Sequence, residues 1–441
     1  VEVIEKPVVI YHHPEKARIY VGAVAPQKIK VALLSDSPDI TTGFGVVSRM
    51  VGAGLKTMGY KVVSFALQDP VVTPHKPDEW PVWRGCAHDS NNWTNFNEFF
   101  RVEKPDVVYM NYDLGNIRNM LDRMRALNYD APIIAYFPVE GAPLIDQFIE
   151  TLRLLRLMNG TPLCYARWAV EAIKASGGSQ AEFAYHGANH ANFRKLPQQE
   201  RDKLRFAVGW QDRFVCEFSG RNKRTKGFGA LLDVARILKE QKANVVWYLH
   251  TDPNDCVPNS SLPLHQMVNQ LGLNDVVFFP PDLDKQTQGI PYDKPPYTGP
   301  VPDTNILREV HEWNMSAMSL IERYNLADLY VNLSEVEGWG LPTVEAMGCG
   351  VPVLSVDDQG VQREVLGDAP AYVGVSHWDI WHTGARLAQV NPQNVAKAIM
   401  ELMYNPAELS AMSKRGLAQY SKYKWSDLVL KIHKVIQEIV A

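Results

Sequence analysis

The chain has 441 residues, 46% of them hydrophobic and 21% charged, so it carries enough apolar sequence for the cores of two or three domains. Its formal net charge of -4 excludes the overall positive field of a general nucleic-acid-binding protein. No apolar run approaches the roughly 20 residues of a membrane span, and no signal peptide is apparent. The five cysteines lack a C-x-x-C pair, which favours reduced thiols over disulfides or a zinc site. We therefore expect a soluble cytoplasmic protein.

The first half of the chain alternates between short apolar runs and amphipathic stretches. Strands are predicted over residues 29–35, 61–67, 105–111 and 131–137, with a helix over 46–58 after the first of them. Strands and helices that alternate in this way predict a parallel sheet. Residues 1–28 predict a β-hairpin extension ahead of this sheet, and the sequence leaves its role open.

The second half begins in the same way and predicts a second sheet. Its strands are expected over residues 213–219, 244–249, 276–280, 327–333 and 351–356. The polar stretch 192–212 is typical of a linker, which places the boundary near residue 205. We therefore predict domains over 29–205 and 206–405, followed by a helical segment over 406–441 that packs across both. Residues 281–316 predict a long loop, and Trp378 and Trp381 fit either a specificity platform or ordinary packing.

The most informative motif is SEVEGWGLPTVEAMGCGVPV, at residues 334–353. It follows a predicted strand, turns through glycines, and enters a helix at Leu341 and Pro342, where the missing N–H of proline costs nothing. The free N–H groups of such a helix start can bind an anion. Glu337 lies in the turn and Glu345 near the first turn of the helix, so both carboxylates could accept hydrogen bonds from one sugar ligand. The alternative is a capped helix with two solvated glutamates.

This motif resembles the signature of glycosyltransferase family 4, retaining enzymes of the GT-B fold that use sugar nucleotides. The resemblance implies two Rossmann-like α/β domains facing a central cleft, the N-terminal one for the acceptor and the C-terminal one for the donor. It gives Glu337 a catalytic position near the transferred sugar and places Glu345 at the nucleotide ribose. The neighbouring residues that would line the donor site are Gly338, Trp339, Gly340 and Leu341.

A basic loop follows the first predicted strand of the second half. It contains Arg221 and Lys226, and the resemblance implies that this pair neutralises the donor diphosphate. A leaving diphosphate gains negative charge in the transition state, so cations fixed in advance stabilise that state more than the ground state. Taken alone, such a loop is more often a solvated surface.

Four further residues are candidate substrate contacts. Gly43 and Gly45 follow the first strand, where the resembled family approaches the donor phosphate and the acceptor, although such glycines can also serve backbone geometry alone. His250 ends a predicted strand and would line the nucleotide pocket or form a turn. Many family members carry a histidine after the fourth strand of the N-terminal domain. This chain has Glu140 in that region, so either Glu140 supplies the polar contact or the acceptor is held differently.

Together these features predict a retaining, hexosyltransferase-like enzyme that takes a nucleotide diphosphate sugar and requires no cofactor. Asp357 and Asp358 do not suggest a metal clamp, because adjacent residues of an extended chain point in opposite directions. The acceptor stays open among a glycan, a lipid-linked sugar, a small molecule and a protein. Membrane contact through residues 148–158 is less favoured than a packed helix. The alternative functions are a sugar-nucleotide 2-epimerase of GT-B fold and a non-catalytic sugar-nucleotide-binding protein.

Overall fold

The computed structural model describes residues 29–40, 42–68, 80–84, 93–255, 261–280, 319–381 and 384–440. The hairpin expected at 1–28 and the loop expected at 281–316 lie outside these residues. The chain divides into two compact units, of which the second contains Asn192–Trp381 and Arg386–Lys422. The first runs up to Ala191 and resumes at Tyr423. The second unit thus begins at Asn192, whereas the sequence places a boundary near residue 205.

The first unit is built on a seven-stranded parallel sheet in the order β3-β2-β1-β4-β5-β6-β7. The four strands predicted for this half correspond to β1, β2, β4 and β5. The strands are β1 (Lys30–Ser35), β2 (Lys61–Ala66), β3 (Val82–Trp83), β4 (Val107–Asn111), β5 (Ile133–Phe137), β6 (Gly160–Cys164) and β7 (Glu182–Phe183). The helices are α1 (Gly43–Thr57), α2 (Phe96–Glu103), α3 (Leu114–Ala126), α4 (Asp146–Leu157) and α5 (Arg167–Ala175).

The core of the first unit lies between the sheet and these helices. Every residue of β4 and β5 is buried, as expected for parallel strands that are covered on both faces. The α2 helix packs Phe96 and Phe99 against Phe65 of β2, with ring centroids 5.4 and 5.1 Å apart. The α4 helix buries Ile149 and Leu152, so the stretch 148–158 forms a packed helix.

The second unit is built on a six-stranded parallel sheet in the order β10-β9-β8-β11-β12-β13, next to an antiparallel hairpin of β14 and β15. The strands are β8 (Phe214–Ser219), β9 (Val245–His250), β10 (Val277–Phe278), β11 (Leu329–Asn332), β12 (Val353–Val356), β13 (Ala371–Val373), β14 (Val375–Ile380) and β15 (Arg386–Val390). The helices are α6 (Gln198–Ala207), α7 (Phe228–Glu240), α8 (Leu264–Gln270), α9 (Leu320–Leu326), α10 (Leu341–Gly348), α11 (Val361–Leu366), α12 (Pro392–Met403) and α13 (Pro406–Tyr420).

The stretch predicted as a linker is a helix that packs within the second unit. Arg201 and Arg205 of α6 both donate to Asp328, which immediately precedes β11, at 2.6 and 2.8 Å. Asp328 also accepts from the backbone N–H of Val215 at 2.9 Å. A charge-rich sequence without apolar periodicity is typical of a linker, but this stretch is held in place by ion pairs rather than by an apolar face.

The C-terminal segment forms two helices that belong to different units. α13 lies in the second unit, and α14 (Trp425–Val440) lies in the first. α14 buries Ile432 and Ile436, and His433 Nδ1 is 2.7 Å from the hydroxyl of Tyr60. The predicted helical segment over 406–441 therefore consists of two helices.

Candidate functional site

Two loops meet at the carboxyl edge of the second sheet. One is the basic loop, which follows β8 and carries Arg221 and Lys226. The other follows β11 and carries the motif at residues 334–353, which we call the glutamate motif. The backbone N–H of Glu335 donates to the carbonyl of Thr225 at 2.9 Å and joins the loops directly. Gly227 has a φ of +72°, and a Cβ there would lie 2.1 Å from the carbonyl oxygen of Leu333. Only glycine allows this approach, so Gly227 fixes the basic loop against the end of β11.

Lys226 and Glu337, two residues that the sequence assigns to catalysis, are in contact. Lys226 Nζ donates to Glu337 Oε1 at 2.7 Å, and the two side chains are 21% and 13% exposed. Because both charges are largely shielded from water, their attraction is stronger than in a surface pair. The structure thus places a cation and a carboxylate side by side where a ligand can reach them.

Arg221 has a different partner. Its Nε donates to Asp255 Oδ2 at 2.7 Å, and its side chain is 54% exposed. The structure therefore pairs Lys226 with Glu337 and Arg221 with Asp255, although the sequence grouped the two cations together. Asp255 carried no sequence signal, since it lies in a turn outside any motif.

The glutamate motif enters α10 as predicted. The helix begins at Leu341 and Pro342, and Gly340 stands before it with a φ of +88°. No side chain caps this helix start, so its first N–H groups are available to an anion. Gly338 and Trp339 are buried in the turn.

A buried polar network supports the turn from below. The amide of Asn332 donates to Thr343 Oγ1 at 3.1 Å and to Gln362 Oε1 at 2.7 Å. Gln362 in turn donates to the carbonyl of Ser334 at 3.0 Å. These bonds tie the end of β11 to α10 and α11, which keeps the loop in one conformation.

Glu345 lies close to its expected position in the glutamate motif. It lies in the second turn of α10, just beyond the first turn near which the sequence places it, and its half-buried side chain disagrees with the alternative of a solvated glutamate. Its Oε2 accepts a hydrogen bond from the hydroxyl of Tyr324 at 2.9 Å, and burial raises the pKa of Glu345 to about 8. The sequence could not place Tyr324, because α9 follows a long segment without motifs.

His250 lies at the same edge and is bonded to α9. Arg323 Nη1 donates to His250 Nδ1 at 3.1 Å, and the hydroxyl of Tyr248 lies 3.1 Å from the same nitrogen. Burial, and then the positive charge of Arg323, lower the pKa of His250 to about 4. His250 is therefore neutral near pH 7 and holds Arg323 at the site. Arg323, like Asp255 and Tyr324, is a residue of the site that the sequence does not identify.

The glycines of the first unit have a structural explanation. Gly43 begins α1 and is exposed. The N–H of Gly45 donates to Thr42 Oγ1 at 3.1 Å, which caps the helix. A Cβ on Gly45 would lie 2.6 Å from the carbonyl oxygen of Ile40. The close contact at Gly45 is thus with its own chain, and a ligand contact at either glycine stays a prediction.

The carboxyl edge of the first sheet holds a neutral polar cluster. The hydroxyl of Tyr136 lies 2.8 Å from His186 Nδ1, and the hydroxyl of Tyr165 donates to Asn111 Oδ1 at 2.7 Å. Burial lowers the pKa of His186 to about 3, so this histidine is uncharged. Glu140 is exposed, and its charge adds to the burial that raises the pKa of Tyr165.

Within the described ranges, no cluster of three or more His, Cys, Asp and Glu residues could hold a metal ion. In the same ranges, none of the helices combines the length and apolar character needed to cross a bilayer. Cys164, Cys216 and Cys349 are buried free thiols.

Comparison with known proteins identifies the fold. Over nearly its whole length the chain resembles sucrose-phosphate synthase from Thermosynechococcus elongatus, with 17% identity, a TM-score of 0.67, and coverage of 94% of this chain and 99% of that one. It is also similar to Anabaena HepE in complex with UDP-glucose, with 15% identity, a TM-score of 0.64, and coverage of 92% and 100%. The chain therefore has two Rossmann-like domains of the GT-B type, as the sequence predicts.

Sequence comparisons point to the same class over part of the chain. Residues 308–419 match the model of glycosyl transferases group 1, a range that includes the glutamate motif. A curated relative, D-inositol 3-phosphate glycosyltransferase 1 from Catenulispora acidiphila, is 25% identical over 246 residues, or 55% of this chain. The match spans 48% of that protein, about half its length.

Proposed function

We propose that this protein is a retaining glycosyltransferase that moves a hexosyl unit from a nucleotide diphosphate sugar to an acceptor hydroxyl. The observation that carries the proposal is the 2.7 Å contact between Lys226 and Glu337. It joins the loop that the resemblance assigns to the diphosphate with the loop that it assigns to the transferred sugar. The group 1 match over residues 308–419 supports the same class.

The donor diphosphate would bind at the basic loop and the start of α10. Lys226 is neutralised by Glu337 in the free chain, so a bound diphosphate would take over Lys226 and leave Glu337 for the sugar hydroxyls. Arg221 is exposed enough to turn from Asp255 to the same phosphates. These cations would stabilise the charge that develops on the leaving diphosphate.

The nucleoside would bind beside α10 and β9. Tyr324 occupies Oε2 of Glu345, which leaves Oε1 for a ribose hydroxyl. Neutral His250 ends β9, two strands from β11 in the sheet, and it is hydrogen-bonded to Arg323 of α9, the helix that also carries Tyr324. HepE is bound to UDP-glucose in its structure, so UDP-glucose is the first donor to test.

The first unit would present the acceptor, and exposed Gly43 and Glu140 mark the positions to probe. The name of the curated relatives makes D-inositol 3-phosphate the first acceptor to test. A glycan, a lipid-linked sugar, another small molecule or a protein would be tested next. We further propose that the reaction needs no metal, so chelation with EDTA leaves the rate unchanged, and that it takes place in the cytoplasm.

Retention is proposed from the family resemblance, with the acceptor attacking on the face from which the diphosphate leaves. A protein nucleophile is not part of the proposal, because the sequence identifies none and Glu337 is assigned to hydrogen bonds with the sugar hydroxyls. NMR of the product gives the anomeric configuration directly. A product with inverted configuration would overturn the retaining assignment and leave the transferase assignment standing.

The test of the whole proposal is calorimetry with UDP-, GDP-, ADP- and TDP-sugars on the wild type, Glu345→Ala and Arg221→Ala. We expect saturable binding of one nucleotide sugar that both substitutions weaken, followed by transfer to an acceptor. A folded protein that binds none of these sugars would overturn the proposal. An epimerised donor would favour the 2-epimerase, and tight binding without turnover would favour a binding protein.

A further inference from the structure

The hairpin of β14 and β15 contacts the donor site, although the proposed mechanism does not use it. The backbone N–H of Ala388 in β15 donates to the carbonyl of Glu335 in the glutamate motif at 2.9 Å. Trp381 follows β14 directly and lies against the guanidinium group of Arg224, whose central carbon is 5.5 Å from the ring centroid. Since Arg224 belongs to the basic loop, the hairpin contacts both loops of the proposed site.

The two contacts have equivalent places in the two loops. Arg224 comes two residues before Lys226, and Glu335 comes two residues before Glu337. Lys226 and Glu337 form the ion pair of 2.7 Å that joins the loops. The hairpin is therefore attached close to each member of this ion pair.

The contact with the basic loop is made by side chains. Arg224 begins a single 3₁₀ turn that ends at Lys226, and the N–H of Gly227 donates to the carbonyl of Arg224 at 3.3 Å. A guanidinium group is attracted to the face of an indole ring, because the ring carries negative charge density there. Trp381 therefore restrains the turn that carries Lys226.

This restraint matters most when the donor is bound. In the free chain Lys226 is held by Glu337, and a bound diphosphate would take over Lys226 and end that contact. The turn would then depend on its other attachments, which include the contact of Arg224 with Trp381. A cation stabilises developing charge best when it is fixed in place before the reaction, so a looser turn would lower kcat.

We propose that Trp381 is a positioning residue of the donor site, which holds Lys226 in place through Arg224 while the diphosphate leaves. The inference rests on the proposed function, since it takes Lys226 as the cation that faces the leaving diphosphate. It gives Trp381 an effect on the rate of transfer rather than on the choice of donor sugar.

The experiment follows the release of UDP from UDP-glucose, with D-inositol 3-phosphate and with water as acceptors, because the diphosphate leaves in both reactions. Trp381→Leu removes the aromatic face and should lower kcat by about fivefold, with the KM for the donor changed by less than about twofold. Trp381→Phe keeps a ring beside Arg224 and should restore most of the wild-type kcat. Thermal unfolding of the same samples separates this effect from a loss of stability alone.

Arg224→Met breaks the same contact from the basic loop, and it serves if Trp381→Leu folds poorly. Each substitution removes one shared contact, so the double variant should lose no more kcat than either single variant. If the losses instead multiply in the double variant, Arg224 acts on the ligand directly and the inference fails.

Trp378→Leu is the matched control. It makes the same change three residues earlier, in β14, where Trp378 pairs with Ala388 and is 42% exposed. It should keep the wild-type kcat and KM. A wild-type kcat in both Trp381→Leu and Arg224→Met would overturn this inference alone. A wild type that releases no nucleotide diphosphate from UDP-, GDP-, ADP- or TDP-sugars would overturn it together with the proposed function.

Discussion

The two units have equivalent neighbouring strands near the centres of their sheets, but the helices that follow these strands begin differently. In the first unit β1 and β4 are neighbours, and Thr42 and Asp113 cap the helices that follow them, accepting from backbone N–H groups at 3.1 and 2.9 Å. In the second unit β8 and β11 are neighbours, and Gly227 and Gly340 precede the helices without a side-chain cap. In the first unit, side chains therefore accept hydrogen bonds from the free backbone N–H groups at these helix starts. At the two helix starts of the second unit, no described side chain does so, and their N–H groups can bind an anion.

The side chains at the two edges follow the same division. Tyr136 with His186 and Tyr165 with Asn111 form a neutral network in the first unit. The second unit holds ion pairs and acids, including Lys226 with Glu337. The first edge also carries the carboxylates of Asp36, Asp113 and Glu140 near Tyr165, and such groups accept hydrogen bonds from hydroxyls. The second edge adds the cation of Lys226, which suits a diphosphate, so the two edges agree with the proposed assignment of acceptor and donor.

The largest expected effect comes from removing the charge that faces the proposed diphosphate. Lys226→Ala should lower kcat/KM by about 100-fold or more, because it deletes a fixed cation at the developing charge. Lys223→Ala is the matched control, since Lys223 is an exposed lysine of the same loop and should change kcat/KM only slightly. Steady-state kinetics with UDP-glucose measure both. Equal losses in the two variants would mean that the loop acts through its overall charge.

Gly227→Ala should be the most destabilising of the changes that leave charge untouched. The positive φ and the approach to Leu333 together should cost about 2 kcal/mol or more in the free energy of unfolding. Gly229 lies two residues later in α7, with open space around the position of a Cβ. Gly229→Ala should therefore raise the free energy of unfolding by about 0.5–1 kcal/mol. Urea unfolding measures the free energy of unfolding of both variants and of the wild type. Similar stability in both variants would show that the basic loop is free to move from β11.

Glu217→Gln should stabilise the protein in a pH-dependent way. Glu217 is a buried residue of β8, and burial raises its folded pKa to about 8, so the folded state holds a proton that the unfolded state releases. Wild-type stability therefore falls as the pH rises from about 4.5 to about 8, and the variant should gain on the wild type over that window, by a few kcal/mol at most. Thermal unfolding at several pH values tests this. A constant difference would show that Glu217 does not titrate there.

The smallest expected effect is at the capped helix of the first unit. Thr42→Ala removes the hydrogen bond to Gly45 and should cost about 1 kcal/mol in the free energy of unfolding. Donor affinity should stay at the wild-type value, because the proposed donor site lies in the other unit. Denaturant unfolding and calorimetry on the same sample separate the two effects. A large loss of donor affinity would mean that the start of α1 contacts the donor.

Much of the fold follows from local sequence patterns. Apolar runs identify the central strands because both faces of a parallel sheet are covered. The start of α10 at Leu341 and Pro342 also follows from local chemistry. The α6 helix was missed because its contacts are ion pairs to Asp328, more than a hundred residues away in sequence. The local periodicity of apolar residues does not indicate partners that are distant in sequence.

The candidate site was predictable only where it lies in motifs. The sequence identifies Glu337 and Glu345 through the motif at residues 334–353, and it identifies Lys226 through the family resemblance that this motif carries. Arg323 and Tyr324 lie on α9 and reach the site through tertiary packing. Their spacing in the sequence therefore does not predict that they belong to the site. The burial of Glu345, and with it the raised pKa, likewise depends on side chains from other elements.

The chain returns to the first unit after completing the second, which affects the order in which the two units can fold during synthesis. The second unit ends at Lys422, whereas α14 completes the core of the first unit with residues such as Ile432 and Ile436. Domains emerging from a ribosome fold as their residues become available. The first unit must therefore wait for α14, with the face of α1 that contacts α14 exposed until that helix leaves the exit tunnel.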